Sequence, residues 1–193
     1  MKIKKLAHFS NSLITMCPKW IKKYTVLRNE LTIEIDSKDV KKVLIFLKNH
    51  ISAQYKVLID ITAVDYPSKK KRFEIVYILL SIHHNARIRV KTSVNQITPV
   101  ESVVDIYASA NWNEREVWDM FGIFFTNHPD LRRILTDYGF DGHPLRKDFP
   151  LSGFFEVRYN ESKKRVVSEP LQLTQELRFF DFASPWEFLK NEN

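Results

Sequence analysis

With 193 residues and 22.9 kDa, 44% of them hydrophobic and 27% charged, the chain is long enough to bury one sizeable core and too short for two full domains. Its formal charge of +7 hides an uneven distribution: residues 1–100 carry 19 Lys and Arg against 7 Asp and Glu, and residues 101–193 carry 11 against 16. The single cysteine, Cys17, excludes an internal disulfide framework, and it excludes an iron–sulfur cluster held by this chain alone, because such clusters need about four ligands.

The first residues, MKIKKLAHFSNSLITMCPKW, are basic and free of acids until Glu30. They contain no continuous apolar h-region and almost no arginine, so neither a secretory signal nor a mitochondrial presequence is indicated, and residues 1–24 are taken as a basic N-terminal segment of the mature chain. From Leu31 to Asp36 apolar and polar residues alternate, the period of a half-buried strand. Val40, Val43, Leu44 and Leu47 then fall at helical spacing, predicting an amphipathic helix that ends near Asn49.

Three strand-like runs follow, at 57–64, 72–82 and 87–92, joined by the short polar stretches DYPSKKK and HHNA. Connections of that length and polarity make hairpins, so the sheet is expected to be largely antiparallel. The longest apolar run, IVYILLSI at 75–82, is far short of the roughly 18 to 20 residues that span a bilayer and reads as a buried strand. Thr98, Pro99, Val100 and Glu101 resemble a capping box with proline at the first helical position, predicting a helix with Val100, Val103, Val104 and Tyr107 on its inner face. Residues 25–125 therefore read as an α+β domain, with helices packed on one face of a mostly antiparallel or mixed sheet.

The run NWNEREVWDMFGIFF, residues 111–125, mixes charge with aromatic bulk. Asn113 can cap a helix with Glu116 at its third position, Arg115 and Asp119 have the spacing of an ion pair one turn apart, and Val117, Met120 and Phe121 make an inward stripe that stops at Gly122. Glu114 and Glu116, two residues apart, do not face each other and make a poor acid–base pair. The segment reads as structural, or as an interface.

Beyond position 125 the chain changes character: all four glycines lie between 122 and 153, and five of the eight prolines follow Phe125. Phe149, Phe154, Phe155, Tyr159, Phe179, Phe180, Phe182 and Trp186 give this part too much aromatic surface for a disordered tail in water. Residues 126–193 are expected to be a long irregular C-terminal extension that binds a partner. His128, Asp130, Asp137, Asp141, His143 and Asp148 are metal-ligand types, and a hydrolase built on His128, Asp141 and His143 is one alternative; their spacing matches no compact metal pattern, and Arg132, Arg133, Arg146 and Lys147 would repel a cation. Dinucleotide, P-loop, hydrolase and zincin motifs are absent from the sequence. The basic first half raises a second alternative, an RNA-binding or ribosome-associated protein, against which no alternation of aromatic and basic residues marks the strands.

The stretch EREVWDMFGIFFTNHPDLRRILTDYGFDGHPLRKDFPL, followed by GFFEVRY, KRVVSEP and DFASPWE, resembles the thirty-kilodalton subunit family of respiratory complex I, which has mitochondrial and bacterial members. Glu114, Arg115, Glu116, Asp119, Met120, Phe121, His128 and Arg132 stand at the positions of the family signature, and the DYPSKKKRFEIVY block fits as well. The resemblance implies a core subunit of the peripheral arm of NADH:ubiquinone oxidoreductase, on the matrix side of the mitochondrial inner membrane. It implies no cofactor bound by this chain, no catalytic, cofactor-binding or metal-binding residue, no transmembrane segment and no nucleic acid. The implied partners are other peripheral-arm subunits in a hetero-oligomer, chiefly the forty-nine-kilodalton quinone-site subunit.

Overall fold

The computed structural model describes residues 2–28, 30–175, 178, 180 and 182, with side chains from His8 onward. The chain divides into two compact units, residues 1–150 and residues 151–193.

The first unit opens with helix α1 (Lys2–Met16) and strand β1 (Ile21–Leu27), which turns back into β2 (Glu30–Ile35). A short 3-10 turn at Ser37–Asp39 leads into α2 (Val40–Asn49), and β3 (Val57–Asp65), β4 (Phe73–Ser81) and β5 (Ala86–Val94) follow as two successive hairpins. The five strands form one sheet in the order β1-β2-β5-β4-β3. Every neighbouring pair is antiparallel except β2 and β5, which run parallel. The expected α+β architecture on a mostly antiparallel, mixed sheet is the observed one.

Register explains why one face of this sheet is the core. Leu31, Ile33 and Ile35 of β2 stand opposite Ile88, Val90 and Thr92 of β5. These continue to Leu79, Tyr77 and Ile75 of β4, and Tyr77 and Ile75 continue to Ile61 and Ala63 of β3. All are buried, because a period of two sends them to the same side. The α2 residues Val40, Val43, Leu44 and Leu47 close over that face together with Leu13 of α1, each full burial contributing about 1.5–3 kcal/mol against the entropy of ordering it. Helix α3 (Ala110–Phe121) adds Ala110, Val117 and Phe121 to the same core.

One element expected from the sequence is corrected here. Thr98 to Tyr107 is not a helix: Val100–Glu101 forms strand β6, paired in parallel with β7 (Phe125–Thr126). The following residues turn so that the Ile106 and Tyr107 amides both donate to the Val103 carbonyl. The apolar spacing was real, since Val100, Val103 and Tyr107 are buried, but the turn buries them without a helix. Residues 1–24 contain α1 and the start of the edge strand β1.

The second unit contains an antiparallel hairpin, β8 (Phe155–Asn160) and β9 (Arg165–Pro170), within what the sequence presents as irregular chain. Phe155, Val157, Tyr159 and Val166 are exposed on it. Phe179, Trp186 and most of the DFASPWE motif lie outside the described residues.

Candidate functional site

The run 111–125 forms a hub into which distant backbone is tied. Helix α3 starts at Ala110 rather than after Asn113, so the expected Asn113 cap is not made; Ser109, just ahead of the helix, donates its hydroxyl to the Leu58 carbonyl at 3.2 Å instead. The earlier start places Glu114 and Asp119 on the inner side, where both are fully buried.

Glu114 accepts hydrogen bonds from the Ser102 hydroxyl at 2.6 Å and from the Val103 amide at 2.8 Å. It thereby fixes the turn that follows β6. Burial pushes its carboxyl up to about 7, and the two hydrogen bonds pull the other way without overcoming that cost. The His128 side chain is buried beside it, with Nε2 at 3.9 Å from the carboxylate. The His128 ring is already committed: Nδ1 accepts the Asp130 amide at 3.1 Å, which leaves the proton on Nε2 to be donated to the Asn111 carbonyl at 3.2 Å.

Asp119 is committed in the same way to the other side. Its carboxylate accepts the backbone amides of Ile134, Leu135 and Thr136 at 3.2, 2.7 and 3.0 Å, and the Thr136 hydroxyl at 2.7 Å. Burial alone would raise this group, yet the four donors together hold it below the usual carboxylate range. The expected ion pair with Arg115 is not formed. Arg115 donates from Nε to the Arg132 carbonyl at 3.1 Å and lies over the Trp112 ring, while the cation nearest Asp119 is Arg133, at 3.8 Å. Spacing on a helix permitted the Arg115 pair; a nest of three unpaired amides outcompetes one exposed guanidinium.

The C-terminus of α3 is capped from residues 143–146. Its last carbonyls have no partner within the helix, and three of them are met in sequence: Asp119 by Nδ1 of His143 at 2.9 Å, Met120 by the Leu145 amide at 3.1 Å, and Phe121 by Nε of Arg146 at 2.6 Å. Gly122 ends the helix at φ +73°, and a side chain there would meet His143 at 2.5 Å as well as Arg146. Arg146 also brings positive charge to the negative end of the helix dipole.

A second latch joins the sheet to this loop layer. Arg72 forms a two-pronged pair with the buried Asp65, both contacts at 2.7 Å, and reaches Asp148 at 3.0 Å. Asp65 also accepts the Lys147 amide at 2.8 Å. The Arg72 guanidinium holds the Asp65 carboxyl below its ordinary range. Sequence reasoning missed this latch, as it missed Ser102, because the partners stand up to 82 positions apart.

His128 and His143 thus serve separate backbone carbonyls, and Asp141 is exposed. Among the described residues no three His, Cys, Asp or Glu side chains gather as a metal-binding set, and no described helix is long and apolar enough to cross a membrane. Helix α3 and the chain that follows it instead present Trp112, Phe124, Leu135, Tyr138 and Leu145 to the outside. An exposed apolar set on a rigid irregular surface is what an assembly interface requires.

Comparison with known proteins agrees with that geometry. Residues 33–155 match the family described as respiratory-chain NADH dehydrogenase, 30 Kd subunit. The chain is 61% identical over 180 residues to NADH-ubiquinone oxidoreductase subunit 9 of Prototheca wickerhamii, covering 93% of this chain and 94% of that one. It is 63% identical over 179 residues to a Marchantia polymorpha protein named NADH dehydrogenase [ubiquinone] iron-sulfur protein 3, covering 93% and 92%. Among solved structures it is similar to a chain of the membrane-bound sulfane sulfur reductase, an archaeal respiratory membrane complex, with a TM-score of 0.66 and 27% identity over 76% of this chain and 86% of that chain.

Proposed function

Because the chain belongs to the respiratory-chain NADH dehydrogenase 30 Kd subunit family, we propose that it is a structural core subunit of the peripheral arm of NADH:ubiquinone oxidoreductase, supporting electron transfer from NADH to ubiquinone without a redox centre or active site of its own. The observation that carries this reading is the use made of the signature carboxylates. Glu114 and Asp119 are both fully buried and both bound to backbone of their own chain, so neither is presented to a substrate. Glu114 fixes the turn after β6, and Asp119 ties down residues 134–136 of the loop layer.

The relatives' name iron-sulfur protein 3 does not fit the donors of this chain. Its one cysteine, Cys17, is buried in the core, where burial pushes its thiol up and away from the thiolate a cluster requires. The name is better understood as membership in an assembly whose clusters other subunits hold. Within that assembly the chain faces the matrix and packs chiefly against the forty-nine-kilodalton quinone-site subunit, through the exposed aromatic side chains of its loop layer and C-terminal part.

Native-gel separation of mild-detergent mitochondrial membrane extracts tests the reading. Co-migration of this chain with a very large band active toward NADH is expected. A free or ribosome-sized band would overturn it.

A further inference from the structure

The face of the sheet opposite the helices holds a concavity of about 400 Å³ where β1, the end of β2, β5 and the 66–72 hairpin loop meet. Five lysines line it: Lys22 and Lys23 from β1, Lys69 and Lys71 from the loop, and Lys91 from β5. Three carboxylates stand among them, Glu34, Asp36 and Glu74, leaving a net formal charge of +2.

The internal pairing is incomplete in a specific way. Asp36 is shared by two cations, Lys22 at 2.6 Å and Lys71 at 3.6 Å. The Lys22 hydrogen bond, foremost, holds its carboxyl below the ordinary range. Glu74 is taken by Lys91 at 2.8 Å. Lys23, Lys69 and Glu34 enter no ion pair among the described residues, although register places Lys23 and Lys91 on either side of Glu34. Lys69 has only the face of Tyr66, 3.8 Å from the ring centre. Two exposed cations and one exposed anion without an ion-pair partner therefore line the same concavity.

We propose that this concavity is a second docking surface, which receives a polypeptide segment of another subunit carrying carboxylates opposite Lys23 and Lys69 and a cation opposite Glu34. The mixed pattern is what selects a polypeptide. A phosphate group would meet the two ammonium groups but would also face Glu34 and Asp36, whereas a chain with alternating charge satisfies all three unpaired groups. The +2 surplus favours an acidic segment and guides its approach. The β1 edge beside the concavity adds unpaired backbone groups along which an extended segment can lie.

The inference rests on the chain being a subunit of a larger complex, and the test reports the two separately. In the assembled complex, taken from the native-gel band after the chain's presence there has been checked, the lysines are acetylated and compared with the free chain. A parallel sample is treated with a zero-length carbodiimide, which joins amines to carboxylates in direct contact. The expected result is at least fivefold protection of Lys23 and Lys69, together with a cross-link from one of them to an Asp or Glu of another subunit. A Lys23→Glu, Lys69→Glu double variant is expected to lose that cross-link and to release the neighbouring subunit at lower salt. Equal acetylation in both states overturns the proposal, as does protection without a cross-link. Protection removed by phospholipase would assign the surface to a lipid headgroup phosphate. Absence of the chain from the band would instead sink the subunit reading itself.

Discussion

Asp119 and Thr136 meet twice across 17 positions of sequence, the carboxylate accepting both the threonine amide at 3.0 Å and its hydroxyl at 2.7 Å. A helix residue thereby fixes the start of a loop that contains no regular structure of its own, and two neighbouring amides share the same acceptor.

Replacing Asp119 by Ala leaves three backbone donors and one hydroxyl without their partner in a part-buried site. The expected cost is about 3 kcal/mol or more, since each unsatisfied buried donor costs about 1–3 kcal/mol and solvent recovers part of it. Denaturant unfolding measures the total, and hydrogen exchange at residues 134–136 should show protection lost there first.

Glu114 predicts an unusual pH dependence. Its folded value is raised to about 7 from an ordinary value of 4.5, so the folded state holds a proton that the unfolded state releases. Stability from this group is full below about 4.5 and declines as pH rises towards 7. Asp65 and Asp119 act oppositely: their folded values lie below 3.8, so their contribution is present above that range and is lost as pH falls through the folded values. Glu114→Gln keeps an oxygen for the Val103 amide and removes the titration. The variant's melting temperature should change less between pH 4.5 and 7 than that of the unaltered protein; parallel curves would refute the assignment.

Gly122→Ala should destabilise the chain by at least about 2 kcal/mol, combining a left-handed backbone with collision against two side chains. The damage should extend beyond the helix end, because His143 and Arg146 are the groups displaced and both cap α3. Chemical shifts or exchange rates at 143–146 would register it.

Arg72→Ala strands the buried Asp65 charge and frees Asp148, with a cost expected at about 3–5 kcal/mol. Asp65, the acceptor of the Lys147 amide, is no longer held in place by the guanidinium. Faster tryptic cleavage after Arg146 and Lys147, before global unfolding, would mark local release; an unchanged cleavage pattern would mean that the latch is not what holds the loop.

Strand β2 was legible in the sequence because its core-facing Leu31, Ile33 and Ile35 alternate with polar residues, β4 because its apolar run is too short for anything but a buried strand, and α2 because its buried residues recur at helical spacing. The turn at 98–107 was misread because a proline, a threonine and spaced valines satisfy both a helix start and a tight turn after a bridging strand; pairing with Phe125 decided between them. Glu114 could be weighed in the sequence only against Glu116, because Ser102 and Val103, the groups that make its burial tolerable, are not helical neighbours. Arg115 and Asp119 illustrate the reverse case, in which a helical spacing suggested a bond that tertiary donors displaced. Family resemblance carried the functional reading, and the site's hydrogen bonds supply its physical content.

The most direct test of the central claim compares assembly with turnover in the Asp119→Ala variant. A structural role predicts less assembled NADH:ubiquinone oxidoreductase in the membrane, with an unchanged NADH:ubiquinone rate per assembled complex. Full assembly accompanied by a clear fall in that rate would place Asp119 in the catalytic machinery and contradict the account.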